Sequence, residues 1–129
     1  MVGGVEVDSL RGTLSTILSF RDERDWAQFH TPRQLGAAIA IEAGELQQAM
    51  LWKSDEEVAT SLAEPAMKKE LAREVADVLI FALLFCHAIG VDPVEVMRDK
   101  IQENTQKYPV KLAKGHAAKY TQLRRDEGE

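Results

Sequence analysis

Apolar residues recur every three or four positions along most of the chain, the period of an amphipathic helix and not of a strand. Leu10, Leu14, Ile17 and Leu18 set the first such segment, which starts at an N-cap on Asp8 or Ser9 and runs to about Arg24. A connector from Asp25 leads to Thr31-Pro32, a good N-cap followed by a residue suited to the first helical position. The second helix continues to about Lys53, and Ser54-Asp-Glu-Glu-Val-Ala59 opens a short extra turn before Pro65. The third runs from about Pro65 to Ile89 and stops at Gly90. Asp92-Pro93 starts a fourth, which ends before Tyr108-Pro109. No hairpin signal, glycine-rich phosphate loop or internal repeat interrupts this order. The expected fold is all-α, of the four-helix type.

Two features depart from simple amphipathicity. From Val75 to Ile89 the third helix is apolar nearly all round, so other helices or another subunit must enclose it. The second feature is acidic. Glu42 shares its arc of the second helix with Leu35, Ile39, Leu46 and Ala49, and Glu45 lies roughly 60° away. On the third helix Glu74 shares an arc with Met67, Val78, Phe81 and Phe85, and Asp77 again lies roughly 60° off. Carboxylates rarely occupy a core face without a partner.

A single i, i+3 acid pair is commonplace on a solvated helix. Two pairs on apolar arcs that face one another would bring four carboxylates together. Two unit charges about 4 Å apart repel by about 4 kcal/mol even at an effective dielectric of about 20, and each buried ion adds a desolvation cost. Protons, nearby cations such as Lys53 and Arg73, or a metal can relieve this, and two cations cannot neutralise four acids. All-oxygen ligands without His or Cys select a hard cation, Mg²⁺ first, which keeps coordination sites for phosphate oxygens. The acids therefore point to phosphate chemistry.

At 129 residues and 45% apolar composition, the chain is expected to form one domain over residues 1–129, with flexible ends at about 1–7 and 124–129. No apolar run approaches the ~20 residues of a membrane span, and the first residues lack the flank and apolar stretch of a signal peptide. Cys86 sits alone in an apolar run and is expected to pack as a small hydrophobe. These features make the cytoplasm the expected compartment. The net charge is −5, and Lys and Arg fall in short groups with no patch able to hold a nucleic-acid backbone. Neither a nucleic-acid polymer nor a membrane is expected as partner.

The chain carries, in order, Phe20-Arg-Asp-Glu-Arg-Asp-Trp26-Ala-Gln-Phe29-His30-Thr-Pro32-Arg33, then Glu42-Ala-Gly-Glu45-Leu46 with Trp52-Lys53. Glu74-Val-Ala-Asp77-Val-Leu-Ile80 follows, and then Lys100-Ile-Gln-Glu-Asn104-Thr-Gln-Lys107-Tyr108-Pro109. With these runs, from about residue 10 to 122, it resembles the MazG-like nucleoside triphosphate pyrophosphohydrolases, specifically their dCTP pyrophosphatase branch. The resemblance implies an all-α bundle completed by assembly into a homodimer or homotetramer. It also implies hydrolysis of a nucleoside triphosphate between the α- and β-phosphates. By the same resemblance Glu42, Glu45, Glu74 and Asp77 hold Mg²⁺, and Glu45 helps to orient or deprotonate the attacking water. Lys100, Asn104 and Lys107 match the segment that contacts phosphate, and Lys53 is a further phosphate candidate. Trp26, Phe29 and His30 resemble the residues lining a pyrimidine pocket, which Trp52 closes. Phe81 stands where this branch often carries Tyr, and Arg73 where an acid often precedes the metal-binding Glu.

Two other classes compete. A di-iron oxidase bundle needs Glu-x-x-His pairs, and the chain has none. A non-enzymatic helical oligomerisation module would explain the apolar third helix but not four acids on its inner arcs.

Overall fold

The computed structural model describes residues 9–125, so the expected flexible ends fall outside it apart from Arg124 and Arg125. Its order is α1 (Leu10–Glu23), a 3₁₀ turn (Ala27–Phe29), α2 (Pro32–Gln48), α3 (Asp55–Ser61), α4 (Pro65–Ala88), α5 (Pro93–Lys107), α6 (Val110–Ala113) and α7 (Tyr120–Leu123). The described residues contain no strand. No single helix among them is long and apolar enough to cross a membrane.

The local chemistry explains the boundaries. Ser9 Oγ accepts from the Gly12 amide at 3.0 Å, and Thr31 Oγ1 accepts from the Gln34 amide at 3.3 Å, so the two caps expected for the first helices form. Ser54 and Glu57 make a reciprocal capping box, which turns the expected short turn into the seven-residue α3. Gly90, at φ 75°, supplies the left-handed residue that ends α4. One boundary differs from the expected one: α2 ends at Gln48, five residues short of Lys53. Ser54 needs extended backbone to cap α3, so the chain must break first, and Trp52 does this at φ 65°. The strained, left-handed turn redirects the Trp52 side chain away from the helical wheel.

The chain divides into two compact units, one ending at Pro93 and the other beginning at Val94. In the first, α2 packs chiefly on α4, and α1 packs more lightly on α4. Leu35, Met67, Leu83 and Leu84 are buried there, Leu35 most completely at 1% exposure. Arg11 of α1 grips Asp92 through Nε (2.7 Å) and Nη2 (3.2 Å), a two-point bond that fixes α1 near the end of α4. The apolar half of α4 is only partly covered by its own chain. Val75, Leu79, Ile80 and Ile89 remain exposed, Leu79 at 56%. In the second unit α6 contacts α7, Leu123 is buried, and Tyr108 meets Tyr120 edge-on at 6.0 Å.

Candidate active site

The acids that interrupt the apolar arcs do meet. One carboxylate oxygen from each of Glu42, Glu45 and Glu74 lies within 4.8 Å of the other two. Glu42 and Glu74 are half-buried and Glu45 is exposed. Oε2 of Glu42 and Oε2 of Glu74 are enclosed and have no hydrogen-bond partner. None of the ion pairs among the described residues engages the three acids, so neither Lys53 nor Arg73 neutralises them by direct pairing.

Asp77 stands apart from this trio. It is exposed, and its charge still reaches both Glu42 and Glu74. Glu70, one turn before Glu74, was not marked by sequence pattern. With Glu45, Gln48, Ala49 and Glu74 it lines an open cavity of about 260 Å³.

Burial pushes the Glu42 carboxyl above its ordinary value of 4.5, and the adjoining Glu45 carboxylate adds to the effect, followed by the charges of Asp77 and Glu74. Glu74 moves the same way, first through burial and then through Glu45, Asp77 and Glu70. The folded chain thus favours protonation of both groups. Their contribution to stability is present below 4.5 and is lost as pH rises through the raised folded values. Without metal, the Tm gain of Glu74→Gln over the wild type is therefore expected to grow as pH rises above 4.5. Scanning calorimetry measures it, and a pH-independent gain would contradict this account of the cluster.

Converging carboxylates with enclosed, unpartnered oxygens fit a hard divalent cation by donor type. The donor set contains no sulfur or imidazole.

A second feature lies one helical turn away. Ile17, Phe20 and Arg21 of α1, Trp26 and His30 of the connector, and Asp77, Ile80, Phe81 and Leu84 of α4 line a mostly apolar cavity of about 270 Å³. The α4 residues follow helical spacing, so one stripe of that helix faces the cavity and begins at Asp77. Phe20 and Trp26 pack edge-on at 5.8 Å, and Arg24 covers the Phe20 ring at 3.7 Å. His30 has an enclosed Nδ1 without a partner. Its burial, and then the Arg21 charge, push its pKa below the ordinary 6.5, so the ring is neutral at pH 7.

Of the four aromatic-pocket residues expected, Trp26 and His30 line this cavity, whereas Phe29 and Trp52 do not. Phe29 is 62% exposed on the 3₁₀ turn, and Trp52 is 93% exposed because of its left-handed backbone. Lys53, just beyond, is exposed and in no ion pair among the described residues. In the second unit, Lys100 and Lys107 both approach Oε1 of Glu103, at 3.2 and 2.6 Å. The Lys107 ammonium also lies 5.4 Å from the Tyr120 ring centre. These contacts hold Glu103 below the ordinary carboxylate value and raise Lys107 above its own. Asn104 is exposed on the same helix. Arg21, Ile17, Ile80 and Leu84 are cavity residues that sequence pattern did not mark.

The sequence profile of the MazG-like family matches residues 37–123, and the chain belongs to that family. It is 42% identical over 106 residues to dCTP pyrophosphatase 1 of Rattus norvegicus, covering 82% of this chain and 62% of that protein. The human dCTP pyrophosphatase 1 is 38% identical over 104 residues, covering 81% and 61%. The chain thus spans less than two thirds of the length of the curated relatives it matches. Its fold is similar to the crystal structure of a pyrophosphatase from Archaeoglobus fulgidus. That match has 36% identity and a TM-score of 0.71, and covers 78% of this chain and 92% of that one. The profile-matched segment contains both acid pairs; the aromatic connector precedes it.

Proposed function

We propose that the chain is a Mg²⁺-dependent nucleoside triphosphate pyrophosphohydrolase. It would cleave dCTP, or a modified pyrimidine deoxynucleoside triphosphate, to the monophosphate and pyrophosphate, clearing the cytoplasmic nucleotide pool. The observation that carries this reading is the three-carboxylate cluster, with two enclosed and unpartnered oxygens, one turn from a mostly apolar cavity lined by Phe20 and Trp26. The names of the relatives support it.

Glu42, Glu45 and Glu74 would hold Mg²⁺, joined by Asp77 from the next turn of α4. When bound, the ion supplies charge neutralisation at the phosphates and acidifies water in its coordination shell, so no covalent nucleophile is needed. Glu45 is the exposed member of the trio and has the access required to orient or deprotonate an attacking water. Trp26 and His30 would hold the base. Lys53, Lys100, Asn104 and Lys107 present cationic and amide groups suited to phosphate. The uncovered apolar residues of α4, with Trp52 beside the end of α2, support assembly into a homodimer or homotetramer, where Phe29 and Trp52 would find their partners.

Isothermal titration of Mg²⁺ into the wild type and Glu74→Ala tests the site. Binding heat in the wild type that Glu74→Ala loses supports the enzyme; equally weak heats in both leave only the non-enzymatic oligomerisation module. Trp26→Ala and His30→Ala are each expected to raise KM for dCTP roughly 10-fold with kcat little changed, as expected for lost stacking and hydrogen bonding to the base. Unchanged KM in both would place the base elsewhere.

A further inference from the structure

The aromatic cavity contains one charged residue to which the mechanism above gives no role. Arg21 lines it beside Phe20, Trp26 and His30, and its side chain is only 16% exposed. Asp22 takes one edge of the guanidinium, Nε at 2.9 Å and Nη2 at 2.7 Å, both on Oδ1. The other nitrogen, Nη1, has no hydrogen-bond or ion-pair partner among the described residues. The backbone carrying Arg21 is also tied down. Its carbonyl accepts from the amides of Arg24 (3.2 Å) and Trp26 (3.1 Å), so Arg21 and the Trp26 wall are held as one piece.

A solvated surface arginine would not be so enclosed, and an arginine serving only to close α1 would not leave one edge unused beside an apolar cavity. His30 lines the same cavity, and its Nδ1 is enclosed and unpartnered. Polar groups with spare capacity in such surroundings cost desolvation free energy until a ligand completes them. A guanidinium edge donates and never accepts, so the completing atom must be a hydrogen-bond acceptor. In a cavity walled by two aromatic rings and the apolar stripe of α4, a flat heterocycle with acceptors on its edge meets both demands.

We propose that Arg21 determines base specificity, its Nη1 edge donating to a carbonyl oxygen or ring nitrogen of the pyrimidine held against Phe20 and Trp26. This rests on the nucleotide reading above and deepens it by adding the residue that distinguishes the base. Asp22 orients Arg21 for this contact, as a positioning residue. Burial first, and then the charge of Arg21, keep the imidazole of the neighbouring His30 neutral.

The test compares wild type, Arg21→Gln and Arg21→Lys. It measures KM and kcat for dCTP, and the inhibition constant of 2-deoxyribose 5-triphosphate, which lacks a base. Arg21→Gln is expected to raise KM for dCTP about 10- to 100-fold, with kcat within about threefold, and to leave the inhibition constant of the abasic competitor unchanged. Arg21→Lys, with a donor but no planar fork, should recover only part of the loss. An equal loss for both ligands would place Arg21 on the phosphates or in the fold and overturn the proposal, as would an unchanged KM for dCTP. Circular dichroism of each variant identifies a folding defect, and a misfolded Arg21→Gln makes Arg21→Lys the deciding variant. A wild type that hydrolyses no nucleoside triphosphate overturns the nucleotide reading itself, an outcome separate from the behaviour of Arg21.

Discussion

Glu45→Gln and Glu74→Gln are each expected to lower Mg²⁺-dependent turnover of dCTP at least about 100-fold, because charge stabilisation at a phosphoryl centre and metal retention are lost together. Helix content measured by circular dichroism should stay unchanged, since neither side chain fills the core and Gln is close in size. The physical reason lies in the repulsion within the cluster. Three carboxylates on one point are unfavourable unless a cation joins them, and replacing one removes a ligand and lessens the reason for the cation to bind. Glu70→Gln serves as the contrasting variant. Glu70 lines the neighbouring cavity and acts on Glu74 through its charge but is not one of the converging ligands, so only a few-fold change is expected. Full activity in both Glu45→Gln and Glu74→Gln would move the site away from the α2–α4 acids.

The largest effect on stability is expected at Leu35. Its side chain is 1% exposed, on the helix that packs most extensively against α4. Leu35→Ala leaves a cavity where few other large side chains are fully buried, and is expected to cost about 2–5 kcal/mol in urea unfolding. That is a large part of the 5–15 kcal/mol or so typical of a small domain. Leu79→Ala makes the useful comparison, because Leu79 is 56% exposed within the chain. In a monomer its loss should be nearly neutral. In an assembled protein it should be costly and dependent on protein concentration. A loss below about 1 kcal/mol for Leu35→Ala would mean that the α2–α4 seam is not the core.

Much of the architecture was legible because it rests on short-range chemistry. Ser9, Thr31-Pro32 and Gly90 each act on backbone groups within a few residues, so the starts of α1 and α2 and the end of α4 follow from sequence. Glu42, Glu45 and Glu74 were legible for a different reason: an acid on an apolar arc violates the helical pattern, and their meeting across α2 and α4 gives that violation a purpose. Trp52 could not be placed this way. The break after Gln48 depends on how the chain reverses into the Ser54 cap, and a left-handed tryptophan leaves no periodic trace. Arg21 was hidden for a simpler reason. In Phe20-Arg-Asp-Glu-Arg-Asp25 it reads as one member of a solvated charge run, and only the fold of the connector encloses it while its neighbours stay exposed. Asp77 was found by its spacing, but its position at the edge of both the acid cluster and the aromatic cavity is a tertiary fact.

In the proposed reaction, the acids of α2 and α4 serve cleavage between the α- and β-phosphates of a pyrimidine nucleoside triphosphate. Incubation of the wild type with dCTP and Mg²⁺, with products separated by ion-exchange chromatography, tests it most directly. dCMP and pyrophosphate are expected in equal amounts, with no reaction in excess chelator. Formation of dCDP and orthophosphate as primary products, or turnover undiminished by chelator, would contradict it.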